Sequence, residues 1–313
     1  MIAFILRRML LSTVVMLGAA TLSFTLVSLA PGNAAEAILA TVRADDPRLD
    51  ELAFFAEKHG LNSPMRIQLS QWFHQLLKGD LGTSLRTGEP VVEAFWSRFP
   101  ATLALAAASM LLAIIIGLPL GIVSAVKRNS WLDHLTRLIA LWGVSIPNFW
   151  LGLMLIFFIG VGLGWLPTFG YGGPSHLVLP TMTIGTGLAA VLMRLQRASM
   201  LEVLNKNYIR TARAKGLDEF RVIGKHAFKN TLIPVVTIIG IQFAHLLSGV
   251  VIVEEIFAWP GIGHFLIEAI HAKDYPVIQG FVLLIAFIFV LTNLFVDVFY
   301  AICDPRVRHF DKQ

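Results

Sequence analysis

Apolar residues dominate this chain in long blocks, and charge is confined to the gaps between them. Runs without Asp, Glu, Lys or Arg cover Met9 to Ala30, Ala101 to Val126, Leu138 to Met193, Thr231 to Val253 and Tyr275 to Val296. A helix that crosses a bilayer needs roughly 20 mostly apolar residues, because the hydrocarbon core is about 30 Å thick. The Leu138–Met193 block is 56 residues long, enough for two crossings, and the Gly- and Pro-rich stretch from Gly164 to Pro180 supplies the connection. The pattern therefore predicts an all-α polytopic membrane protein with six transmembrane helices. Beside the runs, Asp297 is the clear ionisable residue at membrane depth, with Asn293 one turn before it.

The gaps carry their own periodicity. In the loop 31–100, Leu69, Trp72, Phe73, Leu76 and Leu77 form one apolar stripe at helical spacing. Ser63 is the predicted N-cap, Pro64 the first helical residue, and Gly79 the stop. Further helices are predicted over 49–59 and 91–98. This part reads first as a helical cap packed on the outer ends of the spans, and compatibly with that as a docking surface for an external partner. After the Trp259-Pro260-Gly261 break, Ile262, Phe265, Leu266, Ala269 and Ile270 repeat the same spacing, so a short helix lies on or dips into the outer face. Glu254 and Glu255 stand just before it, either as interfacial residues or at a pore mouth.

Segment 194–230 is too long for a turn between spans. Lys206, Arg210 and Arg213 make a basic stripe, while Ala212 and Ala214 are small enough for a partner to approach the backbone. Gly216 is placed to end one helix in a left-handed conformation, and Asp218 to cap the next. Leu217, Phe220 and Ile223 then present apolar side chains at helical spacing. The segment reads as helix, glycine turn, helix, with an apolar knob. A lipid-headgroup clamp explains the basic residues but not the small residues or the turn.

Charge fixes the expected orientation. With both termini cytoplasmic, 17 of the 25 Lys and Arg residues lie inside and 13 of the 20 acids outside, as the positive-inside rule requires. Charged residues are 14% of the 313, well below the roughly 25% of soluble domains. The net charge of +5 needs no nucleic acid to explain it. The chain divides by sequence into 1–100 (first span and external cap), 101–303 (five-span core with the loop 194–230) and a cytoplasmic tail 304–313. Reading the first span as a cleaved signal peptide would leave the later topology unchanged.

Catalytic patterns are missing. There is no phosphate-cradling loop, no H-E-x-x-H and no G-x-S-x-G. His245 and Ser248 could be imagined as base and nucleophile, but no orienting acid is visible nearby. The histidines show no metal-ligand spacing, and no metal or cofactor site is expected on this chain. For Asp297 two readings stand: a structural ion pair with Arg306 or Arg308, or a functional group in the pathway.

In order along the chain come Phe4-Ile5-Leu6-Arg7-Arg8, Gly79-Asp80-Leu81-Gly82, Pro90-Val91, Arg98-Phe99-Pro100-Ala101-Thr102-Leu103 and Ser145-Ile146-Pro147-Asn148-Phe149-Trp150. Tyr208-Ile209-Arg210-Thr211-Ala212-Arg213-Ala214-Lys215-Gly216-Leu217 is the most specific element. Phe257-Ala258-Trp259-Pro260-Gly261-Ile262-Gly263, Asp274-Tyr275-Pro276-Val277 and Asp304-Pro305-Arg306 follow. Together these resemble the "B" permease subunit of the ABC importers for dipeptides, oligopeptides, glutathione and nickel, over essentially the whole chain. Importer permeases in general carry a Glu-Ala-Ala triplet, a glycine and a downstream Ile-x-Leu-Pro in this loop. Here Arg210-Thr211-Ala212 replaces the triplet, Gly216 is kept, and His226-Ala227-Phe228-Lys229 stands at the last site. The peptide and nickel subfamily looks similar at these places.

The resemblance implies a non-catalytic permease in the bacterial inner membrane. It would pair with a homologous "C" permease, with two ATP-binding subunits that carry ATP and Mg, and with an external solute-binding protein. It implies that Arg210, Thr211, Ala212, Arg213, Ala214, Lys215, Gly216, Leu217, Asp218 and Phe220 form the ATPase-coupling loop. Glu254, Glu255, Trp259 and Asp297 are candidates for the pathway or external gate, and Pro119 and Pro147 for kinks that alternating access needs. Peptides rank first as cargo, with nickel or a metal chelate second and glutathione also open. A self-sufficient carrier or channel, or a membrane enzyme, is the reading from a different class.

Overall fold

The computed structural model describes residues 2–29, 64–248 and 250–303. Among them no strand forms beyond a single bridge between Thr83 and Pro90. The helices are α1 (Ile2–Leu29), α2 (Met65–Leu77), α3 (Val91–Val126), α4 (Trp131–Ser145), α5 (Asn148–Leu155), α6 (Pro174–Leu204) and α7 (Asn207–Ala214). They continue with α8 (Glu219–Arg221), α9 (Lys229–Leu247), α10 (Val251–Ile256), α11 (Ile262–His271) and α12 (Tyr275–Cys303). Wider π-helical turns extend α5 over Ile156–Gly162 and join α8 to α9 over Val222–Phe228.

Among the described residues five helical stretches are long and apolar enough to cross a bilayer, and α4 with α5 makes a sixth if counted as one bent span. That pair turns by 100° at Ile146-Pro147. Proline disfavours helix in the residue before it, and Ile146 is extended (φ −80°, ψ 123°). Pro147 thus ends one helix and starts the next. Pro119, by contrast, sits inside the uninterrupted α3. The predicted helix over 91–98 and the second span are also one piece, running straight through Pro100. Ser63 and the predicted helix over 49–59 fall outside the described residues.

The chain forms two compact units, Leu103–Trp259 with Leu291–Gln313, and Ile2–Thr102 with Pro260–Val290. In the first, α3 and α6 touch backbone to backbone. A Cβ added at Gly117 would stand 2.7 Å from the Ala189 carbonyl oxygen, and one at Gly121 2.7 Å from that of Met193. These glycines, four residues apart, give the small-residue seam that membrane helices use where lipid supplies no hydrophobic drive. Other apolar side chains of this unit face outward, among them Leu111, Ile115, Trp142 and Phe157. In water such a surface would invite aggregation; against acyl chains it is at home.

The second unit gathers motifs that lie far apart in sequence. Buried Asp274 accepts hydrogen bonds from Ser84 Oγ (2.5 Å), Leu85 N (3.1 Å) and Arg86 N (3.4 Å). Thr102 Oγ1 accepts from the Ile262 N–H at 2.9 Å, at the start of α11. The Arg98 guanidinium lies 3.7 Å from the centre of the Phe265 ring. Phe95, Phe265 and Phe281 contact one another through Phe281 and fill the core. Ile262, Phe265 and Ala269 of the predicted α11 stripe are buried, while Ile270 is exposed.

Candidate functional site

The segment between α6 and α9 is built around a small apolar core of its own. Met200, Ile209, Ala212, Val222 and Ala227 are buried there with Ala125 of α3, and Leu217 and Ile223 pack against them. Burying a side chain the size of Ile209 is worth about 1.5–3 kcal/mol, so α7 is held to the bundle rather than hanging from it. Of the short α7, only Ile209 and Ala212 point inward. Arg210, Thr211, Arg213, Ala214 and Lys215 are exposed.

Gly216 has φ +76°, where an L-residue would cost about 1–2 kcal/mol. Its N–H donates to the Arg213 carbonyl at 2.9 Å, and the Leu217 N–H donates to the Ala212 carbonyl at 3.3 Å. This pair of bonds is the Schellman closure, completed by the apolar contact of the residue after the glycine with the helix it ends. Leu217 and Ala212 supply that contact in the shared core. Asp218 then accepts from the Phe220 N–H at 3.1 Å and starts α8.

Three side chains were expected in the apolar knob, and the structure separates them. Leu217 and Ile223 are half-buried in the core, whereas Phe220 is 83% exposed. Helical spacing marks a shared face but does not say whether protein already covers it. Ala212, expected as a landing place for a partner, is likewise filled by the core, and Ala214 remains open. The basic stripe is partly neutralised. Lys206 pairs with Glu202 at 2.9 Å, and Arg213 grips Glu219 in a fork of 3.1 and 2.6 Å. The hydrogen bond to Glu219 holds the Arg213 guanidinium above its ordinary pKa. Arg210 makes no side-chain ion pair among the described residues.

Below this, Gln196 Nε2 donates to Thr231 Oγ1 at 3.0 Å, and Thr231 Oγ1 donates to the Phe228 carbonyl at 2.8 Å. The root of α9 is thus fastened to α6. The arrangement presents an exposed aromatic ring, Phe220, on a short segment packed and hydrogen-bonded against the helices behind it.

The remaining predicted site residues do not gather with this element. Glu254 is fully buried and Glu255 exposed, so the two acids are not a matched pair. Trp259 is buried, its ring meets Tyr171 edge-on at 4.8 Å between ring centres, and its backbone N–H donates to the Glu254 carbonyl at 2.8 Å. The Gly170 N–H donates to the Phe257 carbonyl at 2.8 Å, which ties this turn to the loop before α6. Asp297 is half-buried on α12, next to Val296, which presses on Gly240 of α9. Its suggested partners Arg306 and Arg308 fall outside the described residues. Ser248 donates its hydroxyl to the Ala244 carbonyl at 3.0 Å, a helix-end bond. No group of three or more His, Cys, Asp or Glu side chains with metal-binding geometry occurs among the described residues.

A second polar cluster escaped the sequence reading. Asp133 is fully buried and accepts from Arg197 Nε (2.8 Å) and Nη2 (2.9 Å), from Ser124 Oγ (2.6 Å) and from the Asn129 N–H (2.9 Å). Arg197 Nε also reaches Ser124 Oγ at 3.0 Å, and Arg137 Nε lies 3.9 Å from Asp133. The available signal was Ser130-x-x-Asp133, a capping-box spacing. Ser130 Oγ does accept from the Asp133 N–H. The partner Arg197 lies 64 residues away, and no spacing rule reaches it.

Residues 117–309 match the family described as binding-protein-dependent transport system inner membrane component, and residues 1–106 match its N-terminal counterpart. The chain is 44% identical to the dipeptide transport system permease protein DppB of Alkalihalophilus pseudofirmus, over 99% of this chain and all of that protein. It is 42% identical to the glutathione transport system permease protein GsiC of Salmonella typhimurium and 40% to the oligopeptide transport system permease protein AppB of Bacillus subtilis, each over 99% of this chain and all of the relative. Its fold resembles a chain of the inward-facing MetNI methionine ABC transporter, with TM-score 0.53 and 21% identity, over 66% of this chain and 96% of that one.

Proposed function

The chain belongs to the family of binding-protein-dependent transport system inner membrane components, and we propose that it forms one half of the pathway by which an ATP-driven importer brings peptides into the cell. It is a multi-pass inner-membrane permease subunit of an ABC importer. In the proposed assembly a homologous second permease completes the pathway. Two ATP-binding subunits dock on the α7–α8 turns, and a solute-binding protein delivers cargo from the other side. The N- and C-termini lie on the ATPase side.

The observation that carries this reading is the Gly216 turn. Closure of the ATPases can reach the membrane only through a stiff element, and the Schellman-closed turn holds Phe220 outward on a buried core. Phe220 is the ring we assign to the ATPase groove; Arg210 and Lys215 are exposed cations on the same segment. Short peptides rank first as cargo because two of the relatives named above are dipeptide and oligopeptide permeases. Glutathione, itself a modified tripeptide, is the second reading, favoured by the GsiC relatives.

A pull-down of the tagged chain in mild detergent, with partners identified by mass spectrometry, tests the assembly. A second permease and one or two ATP-binding subunits are expected. Recovery of the chain alone, under conditions that preserve known membrane complexes, would instead favour a self-sufficient carrier.

A further inference from the structure

The buried Asp133 cluster joins three elements: the end of α3, the α3–α4 corner and α6. Ser124 ends α3, Asn129 and Asp133 form the α3–α4 corner, and Arg197 stands on α6 shortly before the chain enters the coupling segment. Arg197 grips both carboxylate oxygens and Ser124 as well. A planar guanidinium in such a fork fixes orientation as well as distance, which a lysine ammonium does not. The pair is also costly to separate, since the fully buried Asp133 carboxylate would be left without its counter-charge.

We propose that Asp133 and Arg197 are positioning residues that lock the α3–α4 corner to the root of the coupling segment, so that a push received at the Gly216 turn moves α3, α4 and α6 as one body. This rests on the coupling role proposed above. The geometry favours it over a simple folding staple because Arg197 lies on α6 three residues before Met200, which is buried in the core of the coupling segment. The same core joins that segment to α3 through Ala125, the residue after Ser124.

The test places nitroxide labels on exposed positions on either side of the lock, Arg128→Cys and Lys225→Cys, in a Cys303→Ser background. Distances are measured by pulsed electron resonance. In the resting protein the native pair should give a narrow distribution, and Arg197→Lys, which keeps the charge but not the fork, a broader one. Asp133→Asn serves as the second variant. This width does not depend on ATPases, so it remains readable if the coupling role itself fails. In the whole complex, trapping with Mg-ATP and vanadate should leave the native mean distance unchanged. In Arg197→Lys, uptake of a radiolabelled dipeptide per ATP hydrolysed should fall about tenfold, inside the 5–150-fold range of ordinary coupling energies, at unchanged complex yield. Equal widths in native and Arg197→Lys protein, or a native distance that shifts on trapping, would overturn the proposal.

Discussion

Replacing Gly216 separates backbone geometry from contact. At φ +76° an added Cβ meets nothing within 4 Å, so Gly216→Ala carries a conformational cost alone, about 1–2 kcal/mol. That is a factor of roughly 5–30 in the population of the native turn. Asn visits the left-handed region more readily than other L-residues, so Gly216→Asn should lose less than Ala. Gly216→Val should lose more than Ala, because its branched carbon is stiffer. Gly216→Pro cannot adopt the turn, since its φ is fixed near −65°, and it also deletes the N–H bond to Arg213 at 2.9 Å. The assay is ATP-driven uptake of a labelled dipeptide by the reconstituted complex, with ATPase rate and complex yield measured in parallel. Uptake per ATP should rank Gly, Asn, Ala, Val, Pro, with the complex still assembled for at least the first three. Equal uptake by the Asn and Ala variants, or undiminished uptake by Gly216→Pro, would refute the idea that this turn's handedness transmits force.

Phe220→Ala should change the melting temperature of the isolated permease little, because an exposed side chain contributes within about 0.5 kcal/mol, while its affinity for the ATPase subunits falls markedly; unchanged affinity would remove Phe220 from the docking site. Asp274→Asn weakens charge-assisted bonds worth about 1.5–3 kcal/mol each to Ser84 and the neighbouring N–H groups. Limited proteolysis should therefore cut the 80–90 turn faster, and an unaltered rate would contradict the assigned bonds. Gly121→Val pushes a side chain into the Met193 carbonyl and Gln196 and should cost about 1–3 kcal/mol or more by overpacking, read as a lowered melting temperature. A melting temperature equal to that of the parent would mean that α3 and α6 are not in backbone contact.

What could be read from sequence was whatever local chemistry dictates. The long apolar runs placed the spans, and the stripe from Ile262 to Ala269 placed α11. Gly216 and Asp218 revealed the turn between α7 and α8, because a left-handed residue and a side-chain cap leave one-residue signatures. Helix ends inside apolar or mixed sequence were less legible: α6 runs past Met193 to Leu204, and α3 passes through Pro100. The sharp break at Pro147 was expected only as a kink, since a proline shows where a helix is weakened but not how neighbouring packing resolves it. Leu217 and Ile223 were expected to project and are covered instead. Asp133 and Arg197 were invisible as a pair, since a contact across 64 residues is a product of the fold.

The most direct test of the central claim is a photo-crosslink from the tip of the turn. The photoreactive residue p-benzoylphenylalanine, close in shape to the ring it replaces, is incorporated at position 220, and the adducts formed in native membranes are identified by mass spectrometry. The account predicts adducts to an ATP-binding subunit, at a yield that changes when the complex is trapped with Mg-ATP and vanadate. Adducts to lipid alone would contradict it.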